Sequence, residues 1–145
     1  MKDFPITVRF PIHWADMDAY GHVNNGRHFI WFEAARIEYM VRVGLVRPGM
    51  QKPEGGDVGP IVAATNAEYL RPVVFPAELL VGARVTRIGT TSFTMEFAVD
   101  DANSGVRYAR GGAVLVTLRY ADHQKIPVST EVRAAMEALE GRSFA

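Results

Sequence analysis

Residues 13–36 read HWADMDAYGHVNNGRHFIWFEAAR, placing His13, Asp16, Asp18, His22, Asn24 and Asn25 just ahead of a run of apolar and aromatic residues. Three chemistries suit such a set: a metal site, a carboxylate acting against the start of a helix, or a polar loop that merely leads into a buried helix. Metal binding fits poorly, because the spacing matches neither the helical H-E-x-x-H pattern nor a calcium loop. His13 also falls at the end of a strand-like segment, where alternate residues face opposite ways. An aspartate in a loop of this kind ordinarily caps a helix or bonds the loop backbone, and Asp16, nearer the strand, is read that way.

Asp18 has a second option. A helix that is apolar on most sides carries its N-terminus into the interior, where the first N–H groups lack partners and favour negative charge. A thioester or ester carbonyl placed there would have its developing oxyanion stabilised by those donors, with the N–H of Asn25 as the candidate. A carboxylate a few residues earlier, Asp18, could then attack the carbonyl or deprotonate a water. His22 is read equally as general acid–base or structural group, and Asn24 and Asn25 also serve as capping residues.

The elements that must position these groups are legible from pattern. ITVRFPIHW, with β-branched and aromatic residues near alternate positions, predicts a first strand, and Pro11 places it at a sheet edge or a bulge. From Asn24 to Val43, Ile30, Ala34, Ile37 and Val41 recur at i, i+4, i+7 and i+11. Phe29, Phe32 and Met40 broaden that stripe, which predicts a largely buried helix. Gly44 supplies a left-handed residue beyond its end, and Glu38 with Arg42 makes an i,i+4 pair on its wetter side. The Pro- and Gly-rich residues 47–60 predict a long loop of the sort that often carries function. GGDVGP within it lacks the Lys-Ser/Thr of a phosphate loop.

After Pro60 come four strand-like segments, IVAATNAEYL, AELLVGARVTRI, SFTMEFAVDD and VRYARGGAVLVTLRY, which predict an antiparallel meander with turns at Gly89–Thr91 and at DDANSG. STEVRAAMEAL, residues 129–139, predicts a short second helix. The expected fold is α+β: one domain over 1–145 whose curved antiparallel sheet wraps a long helix and leaves an edge strand that invites dimerisation.

Composition narrows the function. Of 145 residues, 48% are hydrophobic and 22% charged, with 16 Lys and Arg against 16 Asp and Glu. With no net charge and no dense basic run, neither nucleic acid nor an anionic membrane is an expected partner. The absence of cysteine removes thiolate nucleophiles, disulfides and cysteine-ligated metals. The first ten residues lack the apolar core of a signal peptide and no segment is long enough to span a membrane, so a cytoplasmic location is expected. Arg71, at a strand end beside Pro72, could meet a phosphate, although a solvated charge is the plainer reading. Thr90, Thr91 and Ser92 sit where hydroxyls ordinarily serve the turn itself.

Taken together, W-x-D-x-D-x-x-G-H-V-N-N leading into FEAAR, then Y-L-R-P-V and RIGTTSF, resembles the hotdog-fold acyl-CoA thioesterases of the 4-hydroxybenzoyl-CoA thioesterase type over residues 6–120. The resemblance implies Asp18 as the catalytic carboxylate and the Asn25 N–H as the group that polarises the thioester carbonyl. It implies an acyl-CoA substrate held at a subunit interface of a homodimer, which pairs in some members into a homotetramer, and it implies no metal and no other cofactor. Arg71 with Thr90, Thr91 and Ser92 are candidates for the nucleotide end. His22 and Asn24, as substrate-binding positions, differ from the aryl-specific members and point to an aliphatic acyl group. Two alternatives stay open: a hotdog hydratase or dehydratase acting on an enoyl thioester, and a non-catalytic acyl-thioester binding module.

Overall fold

A computed structural model of the chain describes residues 1–47 and 57–144. Five strands, β1 (Ile6–Pro11), β2 (Val58–Tyr69), β3 (Glu78–Ile88), β4 (Ser92–Asp101) and β5 (Arg107–Arg119), form one antiparallel sheet. Helix α1 (Arg27–Arg42) packs on β1, β3 and β4, and helix α2 (Thr130–Glu140) packs on β3. The sheet order is β1-β3-β4-β5-β2. Only β3, β4 and β5 therefore form the expected meander. β2 crosses to the far side and pairs with β5, Ile61 opposite Val116 and Tyr69 opposite Ala109.

Turn chemistry fixes the hairpins where the sequence placed them. Between β3 and β4, the Gly89 N–H closes onto the Ser92 carbonyl at 2.7 Å. Between β4 and β5, Asp101 Oδ1 accepts the N–H groups of Asn103 and Ser104, and Gly105 takes φ +77°. The first strand ends at Pro11, as a proline at an edge requires, so His13 lies beyond it and precedes a short 3₁₀ turn, Trp14–Asp16. Of the long loop expected over 47–60, residues 58–60 belong to β2, and 48–56 lie outside the described residues.

Helix α1 buries the side opposite Ile30 and Ile37, the centre of the expected stripe, and of the residues expected to broaden it Phe32 and Met40 are buried. His28, Trp31, Phe32, Ala35, Tyr39 and Met40 are buried, whereas Ile30 is 53% and Ile37 41% exposed. The helix is apolar on two sides, and the sheet takes the side that carries the large aromatics and the fully buried Ala35. Phe32 stacks on Phe97 of β4 at 5.0 Å between ring centres. Gly111 of β5 leaves the room for it: a Cβ there would meet the Asn66 carbonyl oxygen and, at 2.6 Å, the Phe32 ring.

The far end of α1 is pinned through α2. Ser129 Oγ accepts the Val132 N–H at 3.1 Å and Gly141 ends the helix at φ +68°, which sets Glu140 under the sheet. One Glu140 oxygen accepts both the Tyr39 hydroxyl and the Val85 N–H, each at 2.7 Å. Burial, with Glu140 beside it, pushes the Tyr39 hydroxyl far above the usual tyrosine range. The position of α1 against the sheet is thereby fixed at both ends. Gly111→Ala is expected to destabilise the fold by roughly 1–3 kcal/mol, since backbone and an aromatic ring would have to move. Urea unfolding with an unchanged denaturant slope and a lowered midpoint is the check.

Candidate active site

The segment before α1 folds back on itself. Met17 and Val23 pair as an antiparallel bridge, the Asp18 N–H bonds the His22 carbonyl at 2.8 Å, and the Gly21 N–H bonds the Asp18 carbonyl at 3.1 Å. Gly21 takes φ +84°, a conformation that favours glycine, and so permits the tight reversal. Asp18 Oδ1 accepts the Tyr20 N–H at 2.8 Å, an Asx turn that sets the carboxylate's direction, while Oδ2 has no partner among the described residues. The Val23 N–H then bonds the Val73 carbonyl at 2.8 Å, tying this hairpin to the segment that joins β2 to β3.

Asp16 works as expected of a structural acid. It accepts the His13 N–H at 2.8 Å, its carbonyl accepts the Asn24 N–H at 2.9 Å, and it lies 3.5 Å from the Arg27 guanidinium. Among the described residues no group of three His, Asp or Glu side chains could hold a metal ion.

Helix α1 starts later than Asn24. Gly26 is its N-cap, and neither asparagine side chain caps the first turn. Asn24 Oδ1 instead accepts the Gly26 N–H at 2.9 Å, and the carbonyls of Asn24 and Asn25 accept the N–H groups of Arg27 and His28 at 3.0 and 3.4 Å. The asparagines form a preceding turn because the Asn24 side chain competes for the donor that a helix would otherwise use. One N–H is left over: that of Asn25 has no acceptor among the described residues. The oxygen of the same peptide group, the Asn24 carbonyl, is held by the Arg27 N–H, so this peptide is anchored on its oxygen side only, and the next carbonyl, that of Asn25, accepts the Tyr69 hydroxyl at 2.9 Å.

Asp18, His22, Asn25 and Arg71 come together around one cleft of about 540 Å³, joined by Tyr20, His28, Tyr69 and an apolar wall of Val23, Leu70, Pro72 and Val73. Asp18 is half-buried. Arg71 is exposed, its N–H is fixed to the Tyr108 carbonyl at 3.0 Å, and its guanidinium has no carboxylate partner among the described residues. Asn24, an exposed residue, does not line the cleft. Thr90, Thr91 and Ser92 lie outside it, on the β3–β4 turn, where the Thr90 and Thr91 carbonyls accept the N–H groups of Val128 and Thr117.

His28 and Tyr69 were not singled out in the sequence. His28 is 3% exposed, with its ring 4.8 Å from those of Trp31 and Tyr69. Burial lowers its pKa below 6.5, opposed in part by the nearby Asn25 carbonyl, which nevertheless lies outside hydrogen-bond geometry with the ring. The available signal was its spacing: His28 precedes Phe32 by four and Ala35 by seven positions, on the buried face and away from Ile30 and Ile37.

With this geometry in place, the family follows. Residues 12–136 match the model of the thioesterase-like superfamily. The chain belongs to that superfamily, a family of thioester hydrolases, and has its hotdog fold. It is similar to a thioesterase of Thermus thermophilus whose crystal structure is a complex with coenzyme A and zinc, 34% identical over 99% of this chain and 100% of that one, with a TM-score of 0.84. The PA2801 protein of Pseudomonas aeruginosa is also 34% identical, over 91% of this chain and 98% of that one, with a TM-score of 0.78. The uncharacterized protein YsmA of Bacillus subtilis strain 168 is 29% identical over 92 residues, which cover 63% of this chain and 56% of that protein.

The buried, neutral His28 links pH to stability. Because its pKa is lower folded than unfolded, its contribution is fully present above about pH 6.5 and is lost as the pH falls towards the folded value. The thermal midpoint is expected to drop more steeply between about pH 7.5 and 5.5 in the wild type than in His28→Phe.

Proposed function

We propose that the chain is an acyl-CoA thioesterase, which uses one water to split an acyl-CoA thioester into the free acid and coenzyme A. The observation that carries this is the meeting, in one cleft, of a half-buried carboxylate with one free oxygen and a helix-start peptide whose N–H lacks an acceptor among the described residues. With the thioester carbonyl against the Asn25 N–H, negative charge developing on its oxygen is stabilised by that donor and by the positive end of α1. Asp18 Oδ2 then takes a proton from the attacking water, or attacks the carbonyl carbon itself to give an anhydride that water opens. Either way the C–S bond breaks and the thiolate leaves with the electron pair and picks up a proton.

Arg71, exposed at the mouth without a carboxylate partner among the described residues, suits a phosphate of the nucleotide end. The coenzyme A bound by the Thermus thermophilus thioesterase supports the same carrier here. The Thr90–Ser92 turn could join Arg71 in this role only from a second copy of the chain. His22 lines the cleft as a candidate substrate contact, and Asn24 acts through the turn that shapes the Asn25 peptide. Family membership favours hydrolysis over the hydration of an enoyl thioester. No helix among the described residues is long and apolar enough to cross a membrane, and a cytoplasmic location is part of the proposal.

The working unit is proposed to be a homodimer built across β2, with a homotetramer as a further pairing. β2 is an edge strand of 12 residues, with Ile61 48% and Val62 38% exposed. The second apolar face of α1, with Ile30 and Ile37, is likewise uncovered in the single chain. Apolar surface of this extent on an open edge suits a self-complementary contact.

Asp18→Asn is expected to reduce kcat by roughly 10²–10⁴-fold without a change in thermal midpoint, measured as thiol release from a panel of acyl-CoA esters. Near-normal turnover in that variant would remove Asp18 from the chemistry. Analytical ultracentrifugation is expected to give a dimer or tetramer for the wild type and a smaller species for Ile61→Lys; a monomeric, active wild type would refute the interface.

A further inference from the structure

The catalytic scheme leaves one buried polar group without a task. His28 lines the same cleft as Asp18 and Asn25, is 3% exposed, and has no hydrogen-bond partner on either ring nitrogen among the described residues. Its neighbours offer none: Trp31 and Tyr69 present ring carbon, the Tyr69 hydroxyl is spent on the Asn25 carbonyl, and that carbonyl also accepts the His28 backbone N–H. Buried donors and acceptors are almost always paired, and an unpaired one is costly. An aromatic ring without nitrogen atoms would fill the same space without that cost. Both nitrogens are also closed to solvent, so a partner that enters the cleft meets them when the ring turns toward it.

Its position says which part of a substrate arrives there. The His28 ring lies beside the Asn25 carbonyl, on the same residue whose N–H is the proposed partner of the thioester oxygen. A group that reaches His28 is thus attached close to the thioester carbon. Its chemistry follows from the imidazole. Kept neutral by burial, the ring offers one N–H donor and one bare nitrogen acceptor. A hydroxyl, which donates and accepts, matches it; a carboxylate or ammonium would be buried without a counter-charge, and a methylene would leave both nitrogens unpaired.

We propose that His28 recognises a hydroxyl on the acyl chain next to the thioester, so that the preferred substrates are 2- or 3-hydroxyacyl thioesters and not their plain aliphatic counterparts. The inference rests on the thioesterase reading above and narrows it. The wall of Val23, Leu70, Pro72 and Val73 accommodates the hydrocarbon, while His28 reads the one polar substituent. A site built around a hydroxyl discriminates strongly against the analogue that lacks it, because the protein's own polar group is then left unpaired.

The test measures kcat/KM for matched pairs: butyryl-CoA with 2- and 3-hydroxybutyryl-CoA, and octanoyl-CoA with 2- and 3-hydroxyoctanoyl-CoA. The wild type is expected to favour one hydroxyacyl position by roughly tenfold or more. His28→Phe is expected to bring that ratio to within about twofold of one, and His28→Gln, which keeps a donor and an acceptor, to retain part of it. Each ratio is taken within one preparation, so a loss of folded protein cancels. Hydrolysis of every ester with no preference in the wild type, or a preference that survives in His28→Phe, would overturn the assignment and leave the thioesterase intact. No thiol release from any ester would overturn both.

Discussion

The backbone at Asn25 is the constraint on which the proposed site depends. Its carbonyl is held from one side by the Tyr69 hydroxyl on β2 and from the other by the backbone of α1, while its N–H has no acceptor among the described residues. The peptide group that carries this N–H has its own oxygen, the Asn24 carbonyl, on the Arg27 N–H, so the donor keeps a fixed place without being saturated. That is the electrostatic condition for an oxyanion site, because no reorganisation is needed when charge develops. Everything upstream serves that placement: the turn built by Asn24, the Asp16 contacts behind it, and the Asp18–Gly21 reversal that returns a carboxylate to the same cleft.

The helix behind this peptide is apolar on two faces, and the distribution of residue sizes decides which one the sheet takes. Phe32 against Phe97 and Gly111, the fully buried Ala35, and Tyr39 tied to Glu140 lock one face down. The other face, with Ile30 and Ile37, remains at the surface of the single chain, as does the long edge β2. Tyr69 connects these features to the site, since it is the last residue of that edge strand and also holds the Asn25 carbonyl. In the proposed dimer, the contact that orders β2 and the contact that orients the donor share one strand.

Strand positions were legible from composition and alternation almost to the residue, because hairpin turns with Gly, Asp and Asn leave local signatures: β4 occupies the predicted SFTMEFAVDD segment in full. The order of the strands was not, since the pairing of β2 with β5 is set by which edge can accept a strand after the chain has crossed the sheet, and no local pattern records it. The buried side of α1 was legible only in part, through Phe32 and Met40, for a related reason. A 3.6-residue period identifies an apolar stripe, but on a helix with two stripes it cannot say which one meets the sheet. Of the site, Asp18, His22, Asn25 and Arg71 were named from residue type and place, and the cleft brings them together. His28 escaped because its importance lies in two unpaired nitrogens, a property of its surroundings, and Tyr69 because its partner lies 44 positions away in the chain.

The most direct measurement is the infrared carbonyl stretch of a thioester labelled with ¹³C at its carbonyl carbon, bound to the Asp18→Asn variant so that it survives the experiment. If the Asn25 N–H and the start of α1 polarise that bond, the band moves to lower wavenumber than in solution. A bound thioester whose carbonyl absorbs where the free one does would contradict the account.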